Sequence, residues 1–490
     1  MGKYIAIDIG AESGRVIIGT LADGKISLEE VCRFANGPVQ VMGHLRWDAL
    51  HLFSEIKRGL AAIAQKHGDE FISMGIDTWA IDYGLLDADG ELLGNPFAYR
   101  DVRTEGMMEY AFKRISQRDI FEQSGGIQFL SVNTLYQLAA MVAANSPQLS
   151  IAHDFLLMPD LLHYWLTGVK ACEYTNATTT QFYNSLIGDW SDTILEALGI
   201  PRHLFPQVIQ PGTVLGPILP EVAEEVGLTL LSVVAPATHD TASAVVAVPA
   251  ENDDFVWLSS GTWSLLGGIN DRAIVTEETL EYNISSYGGA GGMVLPWKNI
   301  MGLWLVQECR RLWAKQGDDY SYEQLTRMAG EARPFVAIID PDHPSFLAPA
   351  DMPGAIRAFC RDAGQPMPET SGEIVRTALE SLALRYRWVV EKLEILLARK
   401  SETLHVVGGG SQNQLLNQFA ADATRLPVVA GPVEATALGN VAVQAMTTGE
   451  LASLDEIRRV IRNSCDVAVF TPGDSRPWDE AYERFLRLVG

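Results

Sequence analysis

Basic residues are scarce in this chain. Its 490 residues include 37 lysines and arginines against 61 acidic side chains, which gives a formal net charge of −24. No run of basic residues interrupts this excess of acid. Duplex nucleic acid and anionic membrane surfaces normally require clustered Lys and Arg, so neither is expected as a partner. A phosphate-bearing substrate would need backbone N–H groups, a few basic side chains or a bound cation.

Cysteines are also few, and long apolar runs are absent. The five cysteines are scattered, odd in number and without Cys-x-x-Cys spacing, a pattern typical of reduced thiols. No run of about 18 uncharged apolar residues occurs, so no membrane-spanning helix is expected. The start leads directly into a predicted strand without the apolar region of a signal peptide. We therefore expect a cytoplasmic protein.

Several catalytic signatures are missing as well. The nine histidines show no His-x-x-His or His-Glu-x-x-His spacing, which argues against a zinc site. No Gly-x-Ser-x-Gly motif supports serine hydrolase chemistry. The glycines of Gly408–Asn413 form neither a Rossmann G-x-G-x-x-G fingerprint nor a Walker A loop, because no Gly-Lys-Ser/Thr follows them.

What the chain does contain is one unusual hairpin pattern, present twice. The first copy runs from Ile5 to Gly19 and the second from Phe255 to Gly268. Each predicts an apolar strand, a tight turn of small and hydroxyl residues, and a second apolar strand. Backbone N–H groups and hydroxyls in such turns can surround phosphate oxygens. The two copies predict two similar domains.

Strands mixed with long helices indicate an α/β protein. The domain boundary is expected near residue 250, which gives domains 1–248 and 249–490. Beyond the hairpins, the patterns predict strands at 26–34, 72–77, 80–86, 231–236 and 403–407. They predict helices at 48–66, 133–144, 299–315, 372–397, 413–424 and 435–448.

Asp8, Ser13 and Arg15 in the first hairpin suggest phosphate chemistry. A carboxylate beside phosphates is repulsive unless Mg²⁺ lies between them, and Mg²⁺ is commonly held by one or two carboxylates plus substrate oxygens. Arg15 can stabilise negative charge that develops during phosphoryl transfer. The alternative is an ordinary hairpin in which Asp8 and Ser13 cap the turn.

The pair His239-Asp240 follows a predicted buried strand and opens a predicted helix. Phosphoryl transfer to an alcohol needs a carboxylate near the accepting hydroxyl to take its proton. Active sites of α/β proteins favour the carboxyl ends of strands. The alternative is a helix N-cap made by Thr238 or Asp240.

Three further sets are weaker. Residues 77–82 and 99–103 combine aromatic, carboxylate and Arg groups, as sugar sites often do, or are buried strand residues with a surface salt bridge. Gly408–Gly410 leaves room for a flat ring or a phosphate, or is a bare turn. Asn299 and Gln307 share one face of a predicted helix, where they are otherwise solvated polar positions.

Together these residues resemble the FGGY carbohydrate kinases, members of the actin/Hsp70/hexokinase-like ATPase superfamily. The similar segments span nearly the whole chain in order: 8–15, 75–79, 99–101, 158–160, 173–181, 238–245, 258–264, 298–304, 407–410 and 431–435. The resemblance implies two actin-like/RNase H-like ATPase domains flanking a central cleft. Residues 1–248 would bind mainly the sugar and residues 249–490 mainly ATP.

The resemblance also implies ATP and Mg²⁺ as cofactors, a small-molecule ketose as partner, and a monomer or weak dimer. Asp240 would be the general base that removes the C1 hydroxyl proton of L-rhamnulose. Substrate contacts would come from Ala80, His239, Asp240, Thr241 and Asn299. ATP would contact Ala11, Glu12, Ser13, Gly14, Arg15, Thr262, Gln307 and Gly409, and Asp8 would hold the metal.

Two alternatives remain open at this point. Ala80 stands where the family pattern has glycine, and its methyl group can narrow the sugar pocket. L-fuculose, xylulose or ribulose is therefore an alternative substrate. The other alternative is a nucleotide-dependent switch, like actin or an Hsp70 ATPase domain, without a small-molecule acceptor. The acceptor-side pair His239-Asp240 argues against a switch.

Overall fold

The computed structural model describes residues 2–229 and 231–489. The chain forms two compact units. The first comprises Met1–Pro249, Asn270–Pro296 and Ala435–Ser464, and the second comprises Ala250–Ile269, Trp297–Glu434 and Cys465–Gly490. Compared with the expected ranges 1–248 and 249–490, the first unit includes two additional later segments. The assignment of sugar to one half and ATP to the other stays a prediction.

A six-stranded sheet organises the first unit. Its spatial order is Thr213–Pro217, Ser232–Ala235, Ser73–Thr78, Gly2–Ile9, Ser13–Ala22 and Lys25–Ala35. The second to fourth of these strands run parallel, and the other neighbours pair antiparallel. The carboxyl ends of the three parallel strands therefore meet at one edge of the sheet, which is where ligand sites of α/β proteins form.

The helix Ala49–His67 covers one face of this sheet. Its buried residues Leu52, Ile56, Leu60 and Ile63 follow the spacing of one helical face. They belong to a core shared with the central strands. At the start of the helix, Asp48 accepts a hydrogen bond from the backbone N–H of His51 and so caps it.

The late helix Ala435–Thr447 belongs to the first unit because two of its amides bond to the sheet. Asn440 Nδ2 donates to the carbonyl oxygen of Gly75 at 3.2 Å. One turn later, Gln444 Nε2 donates to the carbonyl oxygen of Ile5 at 3.0 Å. These buried amides satisfy backbone groups that would be costly to leave without partners.

The sheet that contains the second hairpin has seven strands, with Ser285–Gly288 at one edge. From the next strand onward it repeats the order of the first sheet, with Val294–Met301, Trp263–Gly267, Phe255–Ser260, Thr403–Val407, Val428–Ala430 and Ala468–Phe470. Val294–Met301, Trp263–Gly267 and Phe255–Ser260 pair antiparallel. Phe255–Ser260, Thr403–Val407 and Val428–Ala430 pair parallel, and Ala468–Phe470 pairs antiparallel at the far edge. The hairpin duplication in the sequence therefore reflects a duplicated sheet.

The remaining elements surround the two sheets. Further strands of the first unit are Val39–Val41, His44–Arg46, Tyr83–Leu86, Asp154–Leu157, Cys172–Glu173, Tyr183–Asn184, Asp189–Trp190 and Val208–Ile209. Its further helices are Met107–Phe112, Gln117–Gln123, Thr134–Ala143, Pro147–Ile151, Met158–Thr167, Tyr174–Ala177, Asp192–Leu198, Pro220–Val226, Asp240–Val246, Glu277–Tyr282 and Leu454–Ser464. Helices of the second unit are Trp304–Gln316, Tyr322–Glu331, Met352–Asp362, Ser371–Leu397, Gln414–Thr424 and Arg476–Val489.

Most predicted elements are confirmed within one or two residues, including the strand Thr403–Val407 and the helix Ser371–Leu397. The strand predicted at 80–86 is wrong in its first half, because residues 79–82 form a turn and the strand begins at Tyr83. Among the described residues, every helix is too short or too polar to cross a membrane.

The packing of the helix Asp240–Val246 against Ala435–Thr447 depends on Gly439. A Cβ added there would overlap the carbonyl oxygen of Ser243. We expect Gly439→Ala to destabilise the protein by about 1–3 kcal/mol through overpacking. This corresponds to a thermal midpoint lower by roughly 1–5 °C.

Differential scanning calorimetry measures this midpoint, with Gly330→Ala as the matched control. Gly330 also lies in a helix, but a Cβ added there would meet nothing within 4 Å. Because alanine favours helices more than glycine, the control should keep or raise the midpoint. Equal midpoints for Gly439→Ala and the native protein would contradict the packing argument.

Candidate active site

Asp8 lies near the carboxyl end of the first strand in the first unit. Its antiparallel neighbour in the hairpin is Arg15, and the two side chains form an ion pair. The side chains of Asp8 and Arg15 are only 9% and 16% exposed. The guanidinium therefore offsets part of the repulsion that the carboxylate would exert on an anion bound beside it.

The parallel strand Ser73–Thr78 places Asp77 directly beside Asp8. Asp77 is fully buried, and one of its oxygens accepts a hydrogen bond from Asn440 Nδ2 at 2.6 Å. Its Oδ1 accepts no hydrogen bond from the residues that the structure describes. Burial raises the pKa of Asp77 well above its usual value, and the charges of Asp8 and Asp240 raise it further. Burial and the neighbouring carboxylates therefore both oppose a negative charge on Asp77.

Asp240 is the first residue of the helix Asp240–Val246, shortly after the parallel strand Ser232–Ala235. Its Oδ1 accepts hydrogen bonds from the backbone N–H and the hydroxyl of Thr241, at 2.5 and 3.2 Å. Burial, and then the charge of Asp8, raise the pKa of Asp240 to about 7, although 31% of its side chain remains exposed. Such a carboxylate can accept a proton near neutral pH.

The alternative of a side-chain N-cap at this helix is wrong. The N-cap residue is His239, whose side chain makes no capping hydrogen bond, and Asp240 already lies inside the helix. The Thr238 hydroxyl donates instead to the carboxylate of Glu173. His239 Nε2 lies 3.4 Å from Asp240 Oδ1. Burial lowers the pKa of His239 to about 3, so its imidazole is neutral beside the carboxylate.

The turn of the first hairpin is held by backbone contacts. Gly10 N donates to the carbonyl oxygen of Ser13 at 2.9 Å, and Asn36 Nδ2 donates to the carbonyl oxygen of Gly10 at 2.8 Å. A Cβ at Gly14 would overlap the ring of Phe34, so packing explains this glycine. The three residues Ala11–Ser13 remain partly or fully exposed and leave backbone accessible to a ligand.

Ala80 lies in a tight turn that follows the strand Ser73–Thr78. Its neighbour Ile81 has φ of 68°, a left-handed conformation that a β-branched residue rarely adopts. Backbone strain of this kind concentrates at ligand-binding sites. The turn is joined to the helix junction, because Thr78 N donates to the carbonyl oxygen of Thr238 at 2.9 Å.

Asp82 holds this turn in place with a buried carboxylate. It accepts hydrogen bonds from four donors: Trp47 Nε1 at 2.6 Å, Gln137 Nε2 at 2.8 Å, Trp79 Nε1 at 3.0 Å and Tyr99 N at 3.1 Å. Burial raises the pKa of Asp82 to about 6, although these bonds oppose the rise. The aromatic side chains near Ala80 are thereby fixed in orientation.

The first unit therefore brings together two groups of predicted site residues. Asp8 and Ala11–Arg15 lie on the first hairpin. Ala80, His239, Asp240 and Thr241 lie on two segments that pair through Thr78 and His239. The remaining predicted residues, Thr262, Asn299, Gln307 and Gly409, belong to the second unit.

In the second unit, the turn of the second hairpin is tied to the following helix. Gly261 N donates to the carbonyl oxygen of Trp263 at 2.9 Å, and Trp304 N donates to that of Thr262 at 3.1 Å. Gln307 lies one turn into the helix Trp304–Gln316. Its buried Oε1 accepts no hydrogen bond from the described part of the chain. A ligand donor group would satisfy that oxygen.

The glycine loop that follows the strand Thr403–Val407 packs against the second hairpin. A Cβ at Gly410 would overlap the side chain of Ser260, so this glycine is required by close packing. A Cβ at Gly409, in contrast, would meet nothing within 4 Å. The backbone at Gly409 is therefore open on the side where a flat ring or a phosphate could lie.

The prediction that Asn299 lies on a helix is wrong. Asn299 belongs to the strand Val294–Met301, pairs with Leu265, and accepts a hydrogen bond from Trp297 Nε1 at 3.2 Å. The helix begins only at Trp304, so Asn299 and Gln307 share no helical face. Pairing with the second hairpin overrides the local helical pattern, because β-propensity depends strongly on neighbouring strands.

Sequence reasoning missed how Asp77, Asp82 and Glu173 would act. It placed Asp77 and Asp82 together in a sugar set, whereas Asp77 faces Asp8 and Asp82 orients aromatic rings. The sequence did offer a signal, because each carboxylate lies within or beside an otherwise apolar strand. A buried carboxylate in such a position usually has a partner.

No group of three or more His, Cys, Asp or Glu side chains within residues 2–229 and 231–489 has metal-binding geometry. A Mg²⁺ ion that shares its coordination with phosphates needs only one or two carboxylates. The carboxylate of Asp8 and the bare Oδ1 of buried Asp77 are oxygen donors of the kind that Mg²⁺ takes. The residues present are thus compatible with Mg²⁺.

The comparison with known families agrees with this geometry. Residues 3–247 match the N-terminal domain of the FGGY family of carbohydrate kinases, and residues 256–448 match its C-terminal domain. The chain belongs to the FGGY family of carbohydrate kinases. The resemblance inferred from the sequence motifs is confirmed.

Curated relatives narrow the likeness further. A rhamnulokinase of Bacteroides thetaiotaomicron is 45% identical over 487 residues, which cover 99% of both chains. A rhamnulokinase of Klebsiella pneumoniae subsp. pneumoniae is 43% identical and covers 96% of this chain and 94% of its own. A rhamnulokinase of Bacillus subtilis is 39% identical, with 96% of each chain covered.

Solved structures share the fold. A ligand-bound xylulose kinase from Lactobacillus acidophilus has a TM-score of 0.83 and 17% identity, covering 100% of this chain and 98% of that one. A gluconate kinase from the same organism has a TM-score of 0.82 and 17% identity, with 99% and 97% covered. The expected two-domain kinase fold is confirmed.

The electrostatics of this site can be tested by titration. We expect Asp8→Asn to lower the pKa of Asp240 from about 7, because the negative charge of a neighbouring carboxylate is removed. The value should stay above the ordinary aspartate range, since burial remains the larger cause. Carbon-13 NMR of labelled aspartate carboxyls measures it, with the Asp240 signal assigned by its loss in Asp240→Asn.

Asp23→Asn is the matched control for this titration. Asp23 lies in the exposed turn at the far end of the strand Ser13–Ala22, with φ of 50°, a conformation that Asn tolerates. The same charge change there should leave the Asp240 titration unmoved. An unchanged or increased pKa in Asp8→Asn would show that Asp8 does not set the field at Asp240.

Proposed function

We propose that this protein phosphorylates L-rhamnulose with ATP and forms L-rhamnulose 1-phosphate in the catabolism of L-rhamnose. The reaction type is supported above all by Asp240. This carboxylate follows the carboxyl end of a parallel strand and has a pKa of about 7. The choice of sugar is supported by the near full-length similarity to rhamnulokinases. The cytoplasm is the location that suits this role.

In the proposed reaction, Asp240 acts as general base toward the acceptor sugar. The C1 oxygen of the sugar forms a bond to the γ-phosphorus of ATP while the bond to the β-phosphate oxygen breaks. The hydroxyl proton passes to the Asp240 carboxylate, and the departing electron pair leaves on ADP. His239 and Thr241 flank the base, and Ala80 and Asn299 complete the sugar contacts.

The remaining predicted residues suit the nucleotide. Ala11, Glu12, Ser13 and Gly14 offer turn backbone, and Arg15 offers a cation for the transferring phosphate. Thr262, Gln307 and Gly409 would contact the other parts of ATP, and Gln307 Oε1 would gain a partner. Mg²⁺ held by Asp8 would neutralise phosphate charge.

A panel of ketoses tests the proposed substrate. We expect kcat/KM for L-rhamnulose to exceed that for L-fuculose, D-xylulose and L-ribulose by about 10-fold or more, because several hydroxyl contacts discriminate among them. Release of ADP, coupled to NADH oxidation, measures each rate. The other sugars are included because Ala80 stands where the family pattern has glycine, and its methyl group can narrow the sugar pocket.

Ala80→Gly serves as the companion variant in that panel. Preference for another ketose by the native protein would overturn L-rhamnulose as the substrate. ADP release that is independent of every sugar would favour the nucleotide-dependent switch instead.

The role of Asp240 is tested by Asp240→Asn. The asparagine cannot take the sugar proton, so we expect kcat to fall by about 10²–10⁴-fold while sugar binding persists. Since the base must be ionised, the native rate should rise with pH through about 7 and fall below it. This acid limb should be absent from the residual activity of the variant.

Asp192→Asn is the matched control. Asp192 is likewise the first residue of a seven-residue helix, Asp192–Leu198, but it is well exposed on the surface. The control should keep the native kcat and the native pH profile. Retention of most of the native kcat by Asp240→Asn would exclude Asp240 as the base.

A further inference from the structure

Glu173 is a fully buried carboxylate that the proposed reaction does not use. It opens the segment Glu173–Gln181, which is one of the motifs shared with the kinase family. Its contacts lead directly to the segment that carries Asp240. A role in the placement of that base follows from those contacts.

Both oxygens of Glu173 are occupied by hydrogen-bond donors. Oε1 accepts from the backbone N–H of Thr175 at 2.9 Å. Oε2 accepts from the hydroxyl of Thr175 at 2.5 Å and from the backbone N–H and hydroxyl of Thr238 at 3.0 and 2.7 Å. Two of the four donors are backbone groups that cannot reverse direction. The site therefore requires an acceptor at both oxygens.

The network continues to the residue that precedes the base. The backbone N–H of His239 donates to the Thr175 hydroxyl oxygen at 3.2 Å, and that hydroxyl donates in turn to Glu173. The backbone N–H groups of Thr238 and His239 are thus both held by the Glu173–Thr175 pair. Asp240 follows immediately as the first helical residue.

A carboxylate in this position is costly. Burial raises the pKa of Glu173. The nearby buried Asp160, which accepts a hydrogen bond from the backbone N–H of Glu173, is a second carboxylate and offers no compensating positive charge. An apolar residue of similar size would avoid the cost of burying a charge. A buried carboxylate is best explained where it fixes one geometry. Here that geometry is the backbone of Thr238 and His239, which precede Asp240.

We propose that Glu173 is a positioning residue, whose buried carboxylate fixes the backbone of Thr238 and His239 and thereby aims Asp240 at the acceptor hydroxyl. This inference rests on the proposed function of Asp240. It assigns to Glu173 no contact with sugar or nucleotide. Loss of its acceptors should displace the base without removing it.

Glu173→Gln tests this role with minimal change in shape. Whichever way the amide turns, its NH₂ group faces a backbone N–H donor, of either Thr175 or Thr238. Because a displacement of about 1 Å costs about 10²-fold in rate, we expect kcat to fall by about 10–100-fold. The KM for the sugar should change by less than about 3-fold, because the proposed sugar contacts of Ala80 and Asn299 lie outside the displaced segment.

ATP hydrolysis in the absence of sugar separates positioning from loss of folded protein. Hydrolysis does not depend on the aim of Asp240 at the sugar, so it should change by less than about 3-fold in Glu173→Gln. A proportional fall of both activities would overturn the inference and indicate a structural role. Retention of native kcat for the sugar would overturn it too.

Glu380→Gln is the matched control. Glu380 is also buried, and it accepts from the backbone N–H of Phe335 at 2.9 Å, but it belongs to the second unit. The same substitution there should keep the ratio of sugar phosphorylation to ATP hydrolysis native. A comparable change of the ratio in the control would overturn the specific role of Glu173.

A second pair of variants keeps the test decisive if Glu173→Gln fails to fold. Thr175→Val removes the hydroxyl that links Glu173 to His239, and Thr175→Ser retains it. We expect kcat to fall by about 5–20-fold in the valine variant and to stay within about 2-fold in the serine variant. Equal rates in the two variants would overturn the inference.

Hydrogen exchange gives a readout that does not depend on activity. The backbone amides of Thr238 and His239 should exchange at least about 10-fold faster in Thr175→Val or Glu173→Gln, measured on the peptide that spans 236–243. Absence of native sugar phosphorylation would disprove the proposed function. Unchanged exchange would instead disprove the positioning role, so the two failures are distinguishable.

Discussion

The parallel pairing of Ser73–Thr78 with Gly2–Ile9, and of Ser232–Ala235 with Ser73–Thr78, is the constraint on which the site depends. It brings the carboxyl ends of three strands to one edge, where Asp8, Asp77 and the segment before Asp240 follow. Each carboxylate then lies in the field of the others. Without this register the three acidic residues would be ordinary, separately solvated side chains.

Burial and like charge together give these carboxylates different properties. Asp8 has Arg15 as an ion-pair partner, whereas Asp77 has only an amide and burial raises its pKa well above the usual value. Asp240 remains partly exposed and has a pKa of about 7. Differences of this kind between neighbouring groups separate a charge-bearing role from a proton-accepting one.

The two hairpins share a strand order but differ in what their turns present. The first adds Asp8 and Arg15 to the turn backbone, while the second contributes hydroxyl and backbone groups around Thr262. Gly14 of the first hairpin is required by packing against Phe34, and Gly410 of the loop beside the second hairpin is required by packing against Ser260. Gly409 has open space instead. The two halves therefore share a scaffold, while the residues of their turns differ in chemistry.

Local patterns in the sequence determined the elements that depend only on neighbours along the chain. The hairpins, the capped helix Ser371–Leu397 and the junction that carries Asp240 could all be predicted, because period and capping act over a few residues. Tertiary structure alone decided that Asn299 is in a strand, that Asp77 faces Asp8, and that Glu173 holds a segment 65 residues away. These depend on strand register and on long-range hydrogen bonds, for which a single sequence carries no periodic signal.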